Sequence, residues 1–240
     1  LSQSCQNDLK SLTKHIMALN RIKVELKEYT NKYICLIAFI ICLGILLFGS
    51  KIITKFWMLI VFYVVILSLM IGVFYKQLIH DFKIFKSYFK EYFVLILKTW
   101  GKALVLIMIT TIIIQIITHT TQANNQIALQ NSFNSNPVFI AILAMFYAPI
   151  AEELMFRGVF RKFIKNKKLF VIVSGVVFGL MHVIDDSKTL AEFSYVFVYS
   201  ILGMYLAGIY AKTNNLCTNI FMHFMQNTLS VMGMILLMFM

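Results

Sequence analysis

The chain has 240 residues, of which 60% are hydrophobic and 13% charged, whereas soluble domains average about 45–50% apolar and about 25% charged residues. This composition excludes an intrinsically disordered chain and an ordinary water-soluble domain, which cannot hide that much apolar surface. The net charge of +12 comes without a nucleic-acid-reading motif, so we expect no nucleic-acid partner and attribute the charge to cytoplasmic loops and contact with anionic lipid headgroups.

Residues 1–32 form a basic segment of their own. Apolar residues recur there every three or four positions, namely Leu9, Leu12, Ile16, Leu19, Ile22 and Leu26, which is the pattern of an amphipathic helix. Two interpretations stay open: the helix lies on the cytoplasmic leaflet, or it packs against the bundle or a second copy of the chain. The segment lacks the apolar region of a cleavable signal peptide, so we expect none.

The rest of the chain, residues 33–240, is predicted to be an all-α transmembrane bundle. Seven stretches approach the length of about 20 apolar residues that a spanning helix needs. They are Tyr33–Gly49, Phe56–Tyr75, Phe93–Ile117, Val138–Phe156, Leu169–Ile184, Phe193–Ala211 and Leu216–Met240. A break near Asn227 or Gly233 would give eight spans. Lys98 and Lys102, in the third stretch, are expected to snorkel to the headgroups.

The distribution of basic residues predicts the orientation. Residues 1–32, 76–90 and 157–168 are rich in lysine and arginine, and they fall on alternate sides of the predicted spans. Cytoplasmic loops carry this excess of positive charge. We therefore expect an integral membrane protein with a cytoplasmic N-terminus. Lys51 and Lys55, on the predicted outer side, depart from this pattern.

Ionisable and amide groups gather in three of the later spans. The sequences are EELMFR at 152–157, FGLMH at 178–182 and HFMQN at 223–227. Residues four apart share a helix face, which pairs the second glutamate of the first block with its arginine and places the first glutamate about 100° away. We expect the three helices to present these groups to one internal cavity, where polar groups are tolerated in a membrane.

Each block also has a purely structural interpretation. Glu153 and Arg157 can form an ion pair that ties helices together. His182 alone is more typical of a histidine bonded to a backbone carbonyl, and His223 with Asn227 of an interhelical hydrogen-bond clamp. The three blocks together favour chemistry.

The three blocks resemble the CPBP family of membrane endopeptidases, which includes the CAAX proteases and the bacteriocin-processing or self-immunity relatives of the Abi group. The family pattern is two glutamates followed by an arginine, an aromatic residue four before a histidine, and a histidine four before an asparagine. All three elements are present in this order. The resemblance covers about residues 138–230, the expected protease core.

The resemblance implies an intramembrane protease with a polar cavity, and it implies a role for each motif residue. Glu152 would be the general base that activates water, and His182 would hold or polarise that water. His223 and Asn227 would donate hydrogen bonds to the oxyanion. Arg157 would fix the glutamates, with Glu153 as its partner.

These residue types suit peptide hydrolysis, which needs a base and donors for the developing oxyanion. No serine or cysteine stands beside a histidine in the blocks, so a covalent nucleophile is not indicated. Two histidines and two glutamates also match zinc ligands, but the His-Glu-x-x-His pattern is missing. We therefore expect no cofactor, with zinc as the alternative.

The expected partner is a membrane-associated peptide or protein substrate. Two other functions remain open at this point. One is a non-proteolytic scaffold or bacteriocin self-immunity protein of the same family. The other is a proton-coupled transporter, because buried carboxylates and histidines also form proton relays.

Overall fold

A computed structural model of the chain describes residues 30–49, 55–184 and 187–239. The elements found there are all helical. The predicted amphipathic helix falls in residues 1–32, which lie almost entirely outside the described residues, so it stays a prediction.

The helices follow one another with short connections. They are α1 (Lys32–Gly49), α2 (Phe56–Ser87), α3 (Phe89–Thr118), α4 (Asn124–Ser135), α5 (Pro137–Phe163), α6 (Lys167–Met181), α7 (Leu190–Phe193), α8 (Val196–Thr213) and α9 (Leu216–Met238). Every predicted apolar stretch coincides with helix. The all-α membrane bundle is therefore confirmed.

Five described segments are long and apolar enough to cross a membrane alone: α2, α3, α5, the combined α7–α8 segment and α9. The apolar part of α1 is shorter, and α6 has 15 residues, fewer than the roughly 20 of a full span. Helix α9 runs unbroken past Asn227 and Gly233. The break that would have added an eighth span is therefore absent from this helix.

Two helix ends differ most from the prediction, and one whole helix was not predicted. Helix α2 continues from Tyr75 to Ser87, and α5 continues from Phe156 to Phe163, because hydropathy marks the apolar part of a helix and misses its charged end. The polar stretch before Pro137, which lies between the third and fourth predicted spans, contains α4. Phe133 of α4 is buried against Val231 and Met234 of α9.

The longer α5 brings two motif residues to a similar height in the bundle. Glu152 lies 11 residues before the end of α5 at Phe163, or about 16 Å along the helix. His182 directly follows the 15-residue helix α6, about 22 Å from its start. A short connection joins the two helices, so the glutamate and the histidine both lie well inside the bundle.

Helices α6 and α8 pack as a tight antiparallel pair. A Cβ atom added at Gly179 would lie 2.7 Å from the amide nitrogen of Ser200, and one at Gly203 would lie 2.8 Å from the carbonyl oxygen of Gly175. Only glycine permits such backbone contact. The pairing places Lys167 and Thr213 at the same end of the bundle.

Replacing Gly179 with Ala is expected to lower the free energy of unfolding by about 1–3 kcal/mol, because the added methyl group overpacks a backbone contact. Gly72→Ala is the matched control, since a Cβ at Gly72 meets nothing within 4 Å. The measurement is unfolding in detergent followed by circular dichroism. Equal stability of the two variants would contradict the close packing.

A buried aspartate anchors the start of α9. Asp81 of α2 accepts a hydrogen bond from the backbone N–H of Leu216 at 2.9 Å, and its carbonyl oxygen accepts one from the Asn215 side chain at 2.8 Å. Asn215 also caps α9 by accepting from the N–H of Thr218 at 3.1 Å. These bonds fix the position of the helix that carries the third motif.

Candidate active site

The segment of α5 that carries the two glutamates lies between two π-helical turns, Leu143–Tyr147 and Leu154–Val159. Such turns are rare and frequent at functional sites. The sequence explains why the first of these π-helical turns forms. Pro149 has no N–H to donate, and the N–H of Ala148 bonds to the carbonyl of Leu143, so the carbonyl of Ala144 has no donor within α5.

Asn227 supplies the missing donor. Its Nδ2 donates a hydrogen bond of 2.7 Å to the Ala144 carbonyl oxygen. The amide therefore joins α9 to α5 about two helical turns before the glutamates. Because Nδ2 carries two hydrogens, one remains for another acceptor.

Glu153 is a fully buried carboxylate with three partners. Its Oε2 lies 3.2 Å from Arg157 Nε and accepts a 3.2 Å hydrogen bond from Asn219. Its Oε1 lies 2.8 Å from His223 Nδ1. A carboxylate accepts hydrogen bonds, so His223 carries a proton on Nδ1 and turns Nε2 away from Glu153.

Arg157 is also fully buried, and it contacts two other helices of the core. Nη2 donates to the carbonyl of Gly203 on α8 at 2.9 Å, and the guanidinium lies 4.7 Å from the ring centre of Phe178 on α6. Together with the Glu153 ion pair, these contacts compensate the cost of burying both charges.

His182 is held by its neighbours in a single orientation. Its Nδ1 lies 2.8 Å from the carbonyl oxygen of Phe178, which requires that Nδ1 carry the proton. The ring stacks on Tyr199 of α8 with 4.8 Å between ring centres. The other nitrogen, Nε2, therefore faces Glu152 on α5.

Glu152 lies close to both histidines of the motifs. Its Oε2 lies 3.8 Å from His182 Nε2 and 3.9 Å from His223 Nε2. This oxygen is buried and has no hydrogen-bond partner among the described residues, although 26% of the side chain is exposed. The two neighbouring glutamates therefore differ: Glu153 is buried and paired, whereas Glu152 is partly exposed and has an unpaired oxygen.

The structure thus brings five predicted residues into one connected group, Glu152, Glu153, Arg157, His182 and His223. The sixth, Asn227, bonds the backbone of α5 at Ala144, about two helical turns before Glu152. The structural interpretations are also present: Glu153 and Arg157 form an ion pair, and His182 bonds a carbonyl. The catalytic roles stay predictions.

Asn219 is a buried residue of the site that the sequence analysis did not single out. Its Nδ2 contacts both Glu153 and the carbonyl oxygen of Leu206, the latter at 2.6 Å. The spacing of the sequence could have identified Asn219 as a site residue. Asn219, His223 and Asn227 follow one another at intervals of four, so they share one face of α9.

The donor atoms are spaced more widely than a zinc site requires. Ligand atoms about 2.0–2.1 Å from a tetrahedral zinc lie roughly 3.3 Å apart, less than the 3.8 and 3.9 Å found here. In the part of the chain that the structure describes, no group of three or more histidine, cysteine, aspartate or glutamate side chains is arranged to hold a metal ion.

Comparison with known proteins finds a family model that matches the part of the chain carrying these motifs. Residues 134–229 match the family model of the type II CAAX prenyl endopeptidase Rce1-like proteins. A Bacillus subtilis (strain 168) protein named "Putative membrane peptidase YdiL" is 28% identical over 113 residues, 46% of this chain and 43% of the relative.

Two proteins of Lactococcus lactis subsp. lactis (strain IL1403) are also similar. "UPF0177 protein YxdF" is 34% identical over 76 residues, which are 31% of this chain and 38% of the relative. "UPF0177 protein YvdC" is 28% identical over 122 residues, 50% of this chain and 44% of the relative. The chain thus spans less than half the length of the curated relatives it matches, and no solved structure matches it.

The family match and the name of the Bacillus relative support a protease kind of function in an integral membrane protein. The match begins at residue 134 and ends at residue 229, close to the expected core of about 138–230. Residues 134–229 are therefore similar to the Rce1-like family, which confirms the resemblance recognised in the three motifs.

Proposed function

We propose that the protein is an intramembrane endopeptidase that hydrolyses peptide bonds of membrane-associated peptides or proteins. The observation that carries the proposal is the contrast between the two glutamates. Glu152 offers an oxygen without a hydrogen-bond partner among the described residues, flanked by two histidine nitrogens. A paired carboxylate such as Glu153 serves structure, whereas an unpaired and partly exposed one such as Glu152 is suited to accept a proton.

In the proposed mechanism, Glu152 takes a proton from a water molecule as the water oxygen attacks the peptide carbonyl carbon. A water about 2.8 Å from both Glu152 Oε2 and His182 Nε2 fits their 3.8 Å separation. The carbonyl oxygen becomes an oxyanion. Glu152 then gives its proton to the leaving nitrogen as the C–N bond breaks, which yields a carboxylic acid and an amine.

The oxyanion would be stabilised from α9. His223 already carries a proton on Nδ1, and it takes up a second one on Nε2 from solvent before the water attacks, so that the imidazolium donates a hydrogen bond to the oxyanion. Glu153, 2.8 Å from Nδ1, stabilises that positive charge, as carboxylates do for catalytic histidines. The free hydrogen of Asn227 Nδ2 is the second donor. Donors of this kind contribute about 3–4 kcal/mol each.

The proposal includes no metal. If it is correct, purified active protein will contain no stoichiometric zinc, and chelators will leave its rate unchanged. The measurement is elemental analysis of the purified protein combined with peptide hydrolysis in the presence of EDTA or 1,10-phenanthroline. Loss of activity with a chelator and recovery with zinc would assign the histidines and Glu152 to a metal instead.

We also propose that the protein lies in the bacterial plasma membrane with its N-terminus in the cytoplasm. Lys167 at the start of α6 lies at the same end of the bundle as Thr213, and Arg161, Lys162 and Lys165 immediately precede α6. A cytoplasmic position of this basic end follows the positive-inside rule.

The direct test of the function is a search for products. Membrane peptides from cells that produce the wild-type chain would be compared by mass spectrometry with those from cells that produce Glu152→Gln. The proposal expects new peptide termini only with the wild-type chain. Identical peptide sets at equal protein abundance would contradict it.

A further inference from the structure

A groove runs between α3 and α8, lined by α3 side chains and by the outer face of α8. It consists of two adjoining cavities of about 570 and 430 Å³, which share Lys98, Lys102 and Tyr205 as lining residues. None of the six motif residues lines it. The groove is therefore a feature separate from the candidate active site.

Three ammonium groups line this groove. Lys98 and Lys102 come from α3, and Lys212 comes from the last turn of α8. All three are exposed, and no acidic side chain lines either cavity. An ionised side chain within a membrane span is costly unless it finds a partner, and no other described residue forms an ion pair or hydrogen bond with these lysines. These three unpaired positive charges therefore favour an anionic ligand.

The opposite end of the same groove is apolar. Val105, Leu106 and Ile109 line it, and they are 58%, 40% and 48% exposed. They follow the lysines along α3, away from the end of the bundle that carries Lys212. The groove therefore offers positive charge at one end and an apolar surface at the other, which complements an amphiphile with an anionic head.

Two glycines leave the groove open. Gly101 lines the first cavity and Gly208 the second, and a Cβ atom at either position would meet nothing within 4 Å. Gly203, on the same helix as Gly208, is different because it contacts the backbone of α6. Helix packing therefore does not require glycine at position 101 or 208. The absence of a side chain at these positions instead leaves space for a ligand in the groove.

We propose that this groove binds one anionic phospholipid. The lipid phosphate contacts Lys98, Lys102 and Lys212, and an acyl chain lies along Val105 and Ile109. Basic pockets between transmembrane helices on the cytoplasmic side are typical binding places for anionic headgroups, and Lys212 lies at the basic end of the bundle. The proposal does not depend on the proteolytic function.

The test is lipid binding by the full chain, measured by native mass spectrometry with phosphatidylglycerol and phosphatidylcholine. The wild-type chain is expected to bind one phosphatidylglycerol in preference to phosphatidylcholine. Lys98→Gln with Lys102→Gln should weaken this binding about 30-fold. The matched control is Lys86→Gln with Lys90→Gln, which removes the same charge at exposed positions outside the groove.

A second variant tests the shape of the groove without changing its charge. Gly208→Leu should fill the space and weaken phosphatidylglycerol binding by about 10-fold, whereas Gly72→Leu, at an open position outside the groove, should not. Equal binding of both lipids, or unchanged binding by both groove variants, would overturn the proposal. It would also be overturned if the groove variants kept the lipid but raised the KM for peptide cleavage, since the groove would then admit substrate.

Discussion

Glu152→Gln is expected to lower the rate of peptide hydrolysis by about 10²–10⁴-fold, the contribution typical of a general base. The amide has nearly the shape of the carboxylate but cannot take a proton from water. Because Glu152 has no hydrogen-bond partner among the described residues, the substitution should leave the fold and the abundance of the protein unchanged. The measurement is the initial cleavage rate in proteoliposomes, together with the melting temperature.

Glu91→Gln is the matched control, because it removes the same charge from the first turn of α3, far along the chain from the motifs, and should keep full activity. An unchanged rate for Glu152→Gln would exclude glutamate-activated hydrolysis. If a biological function such as immunity survived in that variant, the scaffold alternative would be favoured. A proton-coupled transporter would instead move solute across the proteoliposome membrane without any cleavage product.

Glu153→Ala is expected to destabilise the fold strongly, by about 3–5 kcal/mol, because it leaves Arg157 as an unpaired buried charge. The substitution also removes an acceptor from His223 and Asn219. The expected result is a low yield of folded protein and a lowered melting temperature in detergent. The measurement is the fraction of protein that elutes as a monodisperse species, followed by thermal unfolding.

A double variant separates loss of the ion pair from loss of the side chains. Replacing Glu153 with Leu and Arg157 with Met removes both buried charges, and apolar replacements of buried pairs are often tolerated. The double variant should be more stable than Glu153→Ala but should remain inactive, since His223 loses the carboxylate at Nδ1. Wild-type stability of Glu153→Ala would show that the ion pair does not hold the bundle.

Much of the fold was predictable because apolar length is a strong signal in a membrane protein. The seven stretches coincide with helices, but α4 was not foreseen. Its sequence, NNQIALQNSFNS, has neither the apolar length of a span nor a clear periodicity, and its helix depends on the contact of Phe133 with Val231 and Met234. Such a tertiary contact is not visible in the local sequence.

The site was predictable where helix geometry decides the arrangement. The spacing of four placed Glu153 beside Arg157, and the structure has them 3.2 Å apart. The rotation of about 100° between neighbours separated Glu152 from Glu153, and the two do face different surroundings. The bond between Asn227 and the Ala144 carbonyl was not predictable from spacing, because it follows from the π-helical turn beside Pro149.

The position of His223 in the chain has a consequence for biogenesis. The carboxylate of Glu153 orients it through a bond between α5 and α9, and α9 is the last helix to leave the ribosome among those described. A nascent chain inserted only as far as α8 lacks the donor for the oxyanion. On the proposed mechanism, a chain inserted only as far as α8 is therefore inert toward neighbouring membrane proteins, and it can cleave them only once α9 has been inserted.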